Sequence, residues 1–256
     1  MNRSRGQTWN LIWMLAQTDF KLRYQGSVLG FLWALLKPLF VFAILNLVFS
    51  HLFASSVEHY SLQLLMGILM WNFFAEGTSV GLTALMTKAH ILTKIPFPRW
   101  IVIVAASLQS LMSFFINILI FFGAFVLFGV PIALWQLFAF VFYLVLLYVI
   151  VLGFSFFASP LFVRFRDLNQ IWEVLLTGGF YAAPIIYPLR VLPEWLQPWM
   201  YLNPMTFLIE HSKGVLFSGL LSRADHHAFY VSVVVLGFVL ALGFFRKFER
   251  RVVEFL

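Results

Sequence analysis

Few side chains in this chain are equipped for chemistry, and their types and spacing narrow what that chemistry is. Cys is absent, which removes thiolate nucleophiles, thiolate metal sites and disulfides. One compact group of metal-type ligands is Asp225-His226-His227. A zinc site needs further ligands from elsewhere, and adjacent His residues in a polar turn more often face solvent, so no metal is expected. No GxxxxGK[ST] phosphate loop occurs, so the chain does not itself hydrolyse ATP through one. No Ser, His and Asp carry the flanks of a hydrolytic triad. What remains is a set of ionisable residues in apolar stretches: Lys37, His51, Glu76 and Glu173, with Glu210 and Lys213 in a Pro-rich segment. Intramembrane charges are functional candidates by default. These read as lying near the ends of their stretches, where long side chains reach water, so a proton relay is not expected.

The composition sets the frame for these residues. Of 256 residues, 62% are hydrophobic and 11% charged, and the mean hydropathy is +0.93. Soluble domains are roughly 25% charged. With 32 Phe, 9 Trp and 8 Tyr, there is too little polar surface to cover a globule in water. The chain reads as an all-α polytopic membrane protein with a single transmembrane domain over residues 1–256. The net charge of +7 is explained by basic residues that hold cytoplasmic loops in place. No nucleic-acid partner is expected.

The first 27 residues are too interrupted by polar side chains for a signal peptide. Trp9, Trp13, Ala16 and Phe20 recur at helical spacing, with Asn10, Gln17, Asp19 and Lys21 mostly on other faces. That predicts an amphipathic helix in the membrane interface. Six apolar spans of about 20 residues or more follow: near 32–54, 62–82, 101–128, 134–162, from 168 fading at Pro184, and 228–245. Thirteen Lys and Arg residues fall on the side of the termini, in the N-terminal segment, the 85–100 connection, the 163–167 loop and the C-terminal tail. Only Arg190, Lys213 and Arg223 fall on the other. Both termini are therefore expected in the cytoplasm.

Three segments carry more than topology. Arg23 to Pro38 joins the interface helix to the first span. Gly26 and Gly30 permit a bend there, and they also match the GxxxG helix-packing pattern, as do Gly77 and Gly81. Met86 to Arg99 is partly apolar, basic and too short to cross. Residues 81–94 are expected to form a short cytoplasmic helix, ended by Pro96 and Pro98, that suits docking of a soluble partner; a plain loop is the alternative. Residues 184–227 hold Pro184, Pro188, Pro193, Pro198 and Pro204 among Tyr187, Trp195, Trp199 and Tyr201. Prolines preclude one straight helix, yet the stretch is too apolar for a solvated loop. A re-entrant or interfacial hairpin on the outer side is expected, with residues 205–221 as a second helical piece. An aromatic belt at the headgroups is compatible with it.

Together these segments resemble the transmembrane subunit of type-2 ABC exporters, in the branch that exports bacterial surface glycans. The resemblance lies in RYQGSVLGFLWALLKP at 23–38, ILTKIPFPRW at 91–100, FRDL at 165–168 and the APIIYPLRVLP…YLNPMTFLIE arrangement at 183–210. It implies a transport subunit rather than an enzyme, a homodimer with six spans per subunit in the cytoplasmic (inner) membrane. It implies two copies of a separate ATP-binding subunit, which would hold ATP and Mg, leaving no cofactor on this chain. The cargo implied is a lipid-linked polysaccharide of O-antigen, capsular or teichoic-acid type. Trp9 to Gly30 would form the inner gate, within a segment 1–30. Arg23, Tyr24, Gly26, Ser27, Gly30, Trp33 and Lys37 would shape the entrance, with Arg23, Lys37 and Arg99 as phosphate contacts. Residues 82–95 would be the coupling helix, with Met86, Lys88, His90, Ile91, Leu92 and Lys94 meeting the ATPase. Residues 184–220 would be the outer gate, with Pro184, Tyr187, Pro188, Trp195, Asn203 and Pro204. The rival readings are an exporter of small molecules in the same family, an ion-coupled secondary transporter, and an intramembrane enzyme using Asp225, His226 and His227.

Overall fold

The computed structural model describes residues 5–94, 97–220 and 224–252. Arg3, Pro96 and Arg223 lie outside them, as do the side chains of Asp225, Arg250 and Arg251. Ten α-helices follow in order: α1 Arg5–Tyr24, α2 Trp33–Phe53, α3 Tyr60–Thr87, α4 Ala89–Lys94, α5 Trp100–Leu127, α6 Leu134–Arg164, α7 Leu168–Ala182, α8 Gln197–Met200, α9 Pro204–Lys213 and α10 Ala224–Val252. No strand occurs among the described residues. Among the described residues four helices are long and apolar enough to cross a membrane: α2 with the turn before it, α5, α6 and α10. The chain is an all-α polytopic membrane protein.

The central element is α3, packed between α5 and α6, with α10 on α6, α2 on α3 and α1 on α5. At 28 residues it is about 42 Å long, enough to cross. Its hydropathy is diluted by Gln63, Asn72, Glu76, Thr78, Ser79 and Thr83. A helix wrapped by protein rather than lipid can carry such residues. Its apolar remainder forms the core. Leu64, Met66, Ile68 and Met70 are fully buried against Phe121 and Phe125 of α5, Phe140 and Tyr143 of α6, and Leu208 and Ile209 of α9.

Small residues set the closest approach. A Cβ on Gly81 would lie 1.9 Å from Ser155 Oγ and 2.6 Å from Ser155 Cβ. A Cβ on Gly77 would lie 2.7 Å from Val151 Cγ1. Gly77 and Gly81 therefore form the GxxxG seam against α6. Gly26 and Gly30, with the same spacing, are in an elbow at φ +82° and +47°, where only glycine is unstrained.

After α6 the chain departs from simple spans. The 15 residues of α7 reach about 22 Å, short of the roughly 30 Å hydrocarbon core. Helix gives way at Ala183, whose N–H makes the last bond of α7, to Gly179 O at 2.9 Å, and Ala183–Ile186 are buried in non-helical conformation. Side chains take over. The Tyr60 hydroxyl donates to the Ile186 carbonyl at 2.6 Å, and the buried Lys213 ammonium donates to the Pro184 carbonyl. The segment then returns through α8 and α9. Asn203 caps α9, accepting from Met205 N at 3.0 Å, with Pro204 in the first turn. Met205–Ile209 are buried, so the hairpin re-enters the bundle. A π-turn, Gly214–Ser218, ends it at Gly219. The Tyr230 hydroxyl donates to Pro204 O (2.8 Å) and the Gln136 amide to Val215 O (2.8 Å). The helical piece expected over 205–221 is thus α9 and this turn.

Two stability predictions follow from these contacts. Gly81→Ala should lower stability by about 1–3 kcal/mol through overpacking, and Ser155→Gly in that background should recover part of it, read from thermal melting in detergent. Lys213→Met should cost about 3 kcal/mol by leaving Glu210 unpaired near its buried edge. Adding Glu210→Gln should return part of that, and limited proteolysis of the hairpin should track the same order.

Candidate functional site

The terminal turn of α1, the elbow after it and the start of α2 come together with the middle of α3 and α5. Ile12 and Ala16 of α1 are buried on Ile101 and Ala105 of α5, while Trp9 and Trp13 stay exposed. The packed face thus shares Ala16 with the stripe that periodicity singled out, while Trp9 and Trp13 of that stripe lie outside it. It continues through Asp19, whose side chain is 16% exposed, and Arg23, which is 34% exposed but reaches across to α3. Arg23 pairs with Glu76 and Asp19 with Lys88. Glu76 sits in the middle of α3, not near an end as expected from sequence. The reason is that a cation delivered by another helix removes the need to reach water.

The elbow closes on aromatic rings. Gly26 and Gly30 reverse the chain so that Phe31 meets Phe20 (centroids 5.5 Å) and Tyr24 (5.7 Å). The Arg23 guanidinium also lies 5.8 Å from the Tyr24 ring centroid. Beside the elbow is a cavity of about 300 Å³, lined by Arg23, Tyr24, Trp33, Lys37, Asn72 and Glu76 among others. Ser110, Ser113 and Asn117 of α5 line its far wall. Asn117 donates to Ala34 O at 3.3 Å and Ser113 O at 2.8 Å, which ties α5 to α2. The Ser110 hydroxyl is buried without a hydrogen-bond partner among the described residues. Two cations against one carboxylate leave the cavity positive. Amide and hydroxyl donors beside aromatic faces equip it for an anionic or hydroxyl-rich group.

Four of the expected entrance residues, Arg23, Tyr24, Trp33 and Lys37, thus share one cavity. Gly26, Ser27 and Gly30 form the elbow at its edge. Arg99 does not join them. Its guanidinium donates to the Glu249 carbonyl and its backbone N–H to Glu249 Oε1, which fastens α5 to α10. Asn72, Ser110, Ser113 and Asn117 were not singled out from the sequence. Their signal is spacing: 72 and 76 share a face of α3, and 110, 113 and 117 share a face of α5.

The helix expected over residues 81–94 is shorter. Residues 82–87 continue α3, Lys88 marks the break (φ −102°, ψ 12°), and α4 holds only Ala89–Lys94. Leu92 is buried with Leu85, Val102 and Val163 and anchors α4 to the bundle. Met86 and Ile91 are half-buried, and His90 and Lys94 face outward.

At the other end, Pro184 is buried, Tyr187 and Pro188 are half-buried, and Asn203 and Pro204 start α9. The Tyr187 hydroxyl donates to Tyr181 O at 3.1 Å. Trp195 and Trp199 project outward, 70% and 65% exposed, as headgroup-level aromatics do. The His211 imidazole stacks on Phe207 (3.9 Å) and lies 5.2 Å from His227, which meets the Tyr143 hydroxyl at 2.7 Å. Among the described residues no three His, Asp or Glu side chains are placed to hold a metal ion.

The geometry can be set beside known proteins. Over its full length the chain is 25% identical to "O-antigen export system permease protein RfbA" of Klebsiella pneumoniae, covering 98% of that protein. A second Klebsiella pneumoniae protein of that name is 24% identical over the full chain and 98% of its own length. One from Myxococcus xanthus is 26% identical over 84% of this chain and 83% of its own length. The sequence pattern of the ABC-2 type transporters matches residues 10–217. With that match spanning most of the helices just described, the chain belongs to the ABC-2 type transporter family.

Proposed function

We propose that this chain is the membrane-spanning subunit of an ATP-driven exporter that moves lipid-linked polysaccharide across the cytoplasmic membrane. The names of the full-length relatives support O-antigen as the cargo type. The observation that carries the transport reading is α7. None of its residues is buried within one copy, and Asn169, Gln170, Glu173 and Thr177 are exposed along it. A helix bearing a carboxylate and amides is costly against lipid. A second copy of the chain, with a watery conduit between the two, supplies the setting that α7 needs. Six crossings per copy, counting α3 and α7 with its re-entrant continuation, keep both termini on the cytoplasmic side.

In this reading ATP and Mg are held by two copies of a separate ATP-binding subunit. Their closure pushes on α4, whose outward residues His90 and Lys94 offer the contact. The positive cavity at Arg23, Lys37 and Glu76 lies at the inner entrance, where the phosphate groups of a lipid-linked glycan would need cationic partners. The hairpin from Pro184 to Gly219 lies at the exit. The chain's own residues move no protons and break no bonds.

The test is purification of the tagged chain from its native membrane. A P-loop ATPase should co-purify in equal amount, with the ATPase activity in that fraction, and glycan should be lost from the cell surface when the gene is deleted. Paired His90→Ala and Lys94→Glu substitutions should reduce the ATPase recovered several-fold without changing the amount of permease in the membrane. A chain that purifies alone and transports on an ion gradient would overturn the proposal.

A further inference from the structure

By sequence Lys88 belongs to the segment that would dock an ATP-binding subunit. The structure turns it inward. Its ammonium pairs with the Asp19 carboxylate, and each side chain is only 16% exposed. Lys88 is also the residue at which α3 ends and α4 begins. Any displacement of α4 therefore moves Lys88 first.

The surroundings of this pair are open rather than packed. A cavity of about 370 Å³ separates α1, α3 and α5 here, lined by Asp19, Leu22, Val80, Thr83, Lys88 and Gln109. Gln109 reaches the Asp19 carbonyl at 3.5 Å. One turn further along α1, Arg23 pairs with Glu76 in the middle of α3. So α1 meets its two neighbours differently. It rests on α5 chiefly through apolar side chains, Ile12 and Ala16, which tolerate sliding better than an ion pair does, with the long Gln109 contact beside them. It is tied to α3 by charge across a gap.

We infer that the Asp19–Lys88 pair is a strut that transmits movement of the α3–α4 elbow to α1, and through α1 to the inner entrance. The physical ground is that parting this pair would leave two charges, each largely screened from water, without partners. The carboxylate follows the ammonium, and α1 is dragged along its apolar bearing on α5. Arg23–Glu76 then acts as the pivot, because Glu76 lies deep in α3, away from the elbow. Lys88 is on this account a positioning residue, not a docking residue. The inference rests on the proposed partnership with an ATP-binding subunit for the force, but the tie itself belongs to this chain alone.

Two experiments separate these parts. In the complex with the co-purifying ATPase, Asp19→Asn and Lys88→Met should retain partner binding and ATP hydrolysis, while export falls by about tenfold, the size of effect typical for a coupled pair. Lys88→Arg and the charge swap Asp19→Lys with Lys88→Asp should recover export. Loss of the ATPase from Lys88→Met would instead make Lys88 a docking residue and overturn the strut. Wild-type export by both single variants would do the same, as would failure of both Lys88→Arg and the swap. The second experiment needs no ATPase: hydrogen exchange of the isolated permease. Lys88→Met should speed exchange in the last turns of α1 at least threefold, with α6 and α10 unchanged as a folding control. Unchanged protection of α1 would overturn the inference even where the partner is found, whereas absence of any partner would fall on the proposed function alone.

Discussion

A carboxylate in the middle of the central helix is the constraint around which this protein is arranged. Glu76 cannot face hydrocarbon, and it lies in the middle of α3 rather than at an end. Its cation comes from Arg23, at the end of a helix that lies before the first span in sequence. For Arg23 to arrive there, α1 must fold back along α5, and the chain must then reverse sharply to enter α2. The reversal needs two residues in left-handed conformation, which Gly26 and Gly30 supply. The ring cluster of Phe20, Tyr24 and Phe31 closes it. The cavity with Lys37, Asn72 and Ser110 is what this arrangement leaves between α1, α2, α3 and α5.

The same rule governs the opposite end. Unwinding the chain at Ala183–Ile186 frees carbonyls inside a bundle, where each unsatisfied group costs several kcal/mol. Partners come from distant helices: Tyr60 from the start of α3 and Lys213 from the end of α9. Gln136 and Tyr230 serve the carbonyls of Val215 and Pro204 in the same way. The hairpin is thus held by polar side chains against backbone inside the bundle, and its apolar residues, Met205–Ile209, fill the core. Polar bonds fix its position, while burial supplies most of its stability.

Much of this was legible in the sequence because hydropathy and glycine or proline punctuation report on single segments. The apolar spans, the elbow at Gly26 and Gly30, and the broken hairpin from Pro184 were read from such local signals. The GxxxG pattern was ambiguous, since spacing does not say whether glycines sit in a helix or at a turn. The close approach of Gly81 to Ser155 decides for one pair, and positive φ decides for the other. What sequence could not give was pairing. Asp19 and Glu76 were read as a solvated face and a span end because their partners, Lys88 and Arg23, lie 69 and 53 residues away. The packed face of α1 was not legible for the same reason: periodicity finds the stripe of Trp9, Trp13, Ala16 and Phe20, but which part of it meets protein depends on the neighbour.

These two ends share one element. At its start α3 carries Tyr60, bonded to the hairpin, and just past its finish lies Lys88, bonded to α1. Between them Gly77 and Gly81 lock it to α6 at a separation that admits no added methyl group. A helix so tightly seated does not bend at its centre, because packed interiors resist small deformations. Displacement at the α4 elbow must then be met either by α3 and α6 tilting as one body or by motion at the loosely filled contact with α1. A cavity lined by Asp19, Lys88 and Gln109 lies at the contact with α1, so that contact deforms more readily than the closely packed glycine seam.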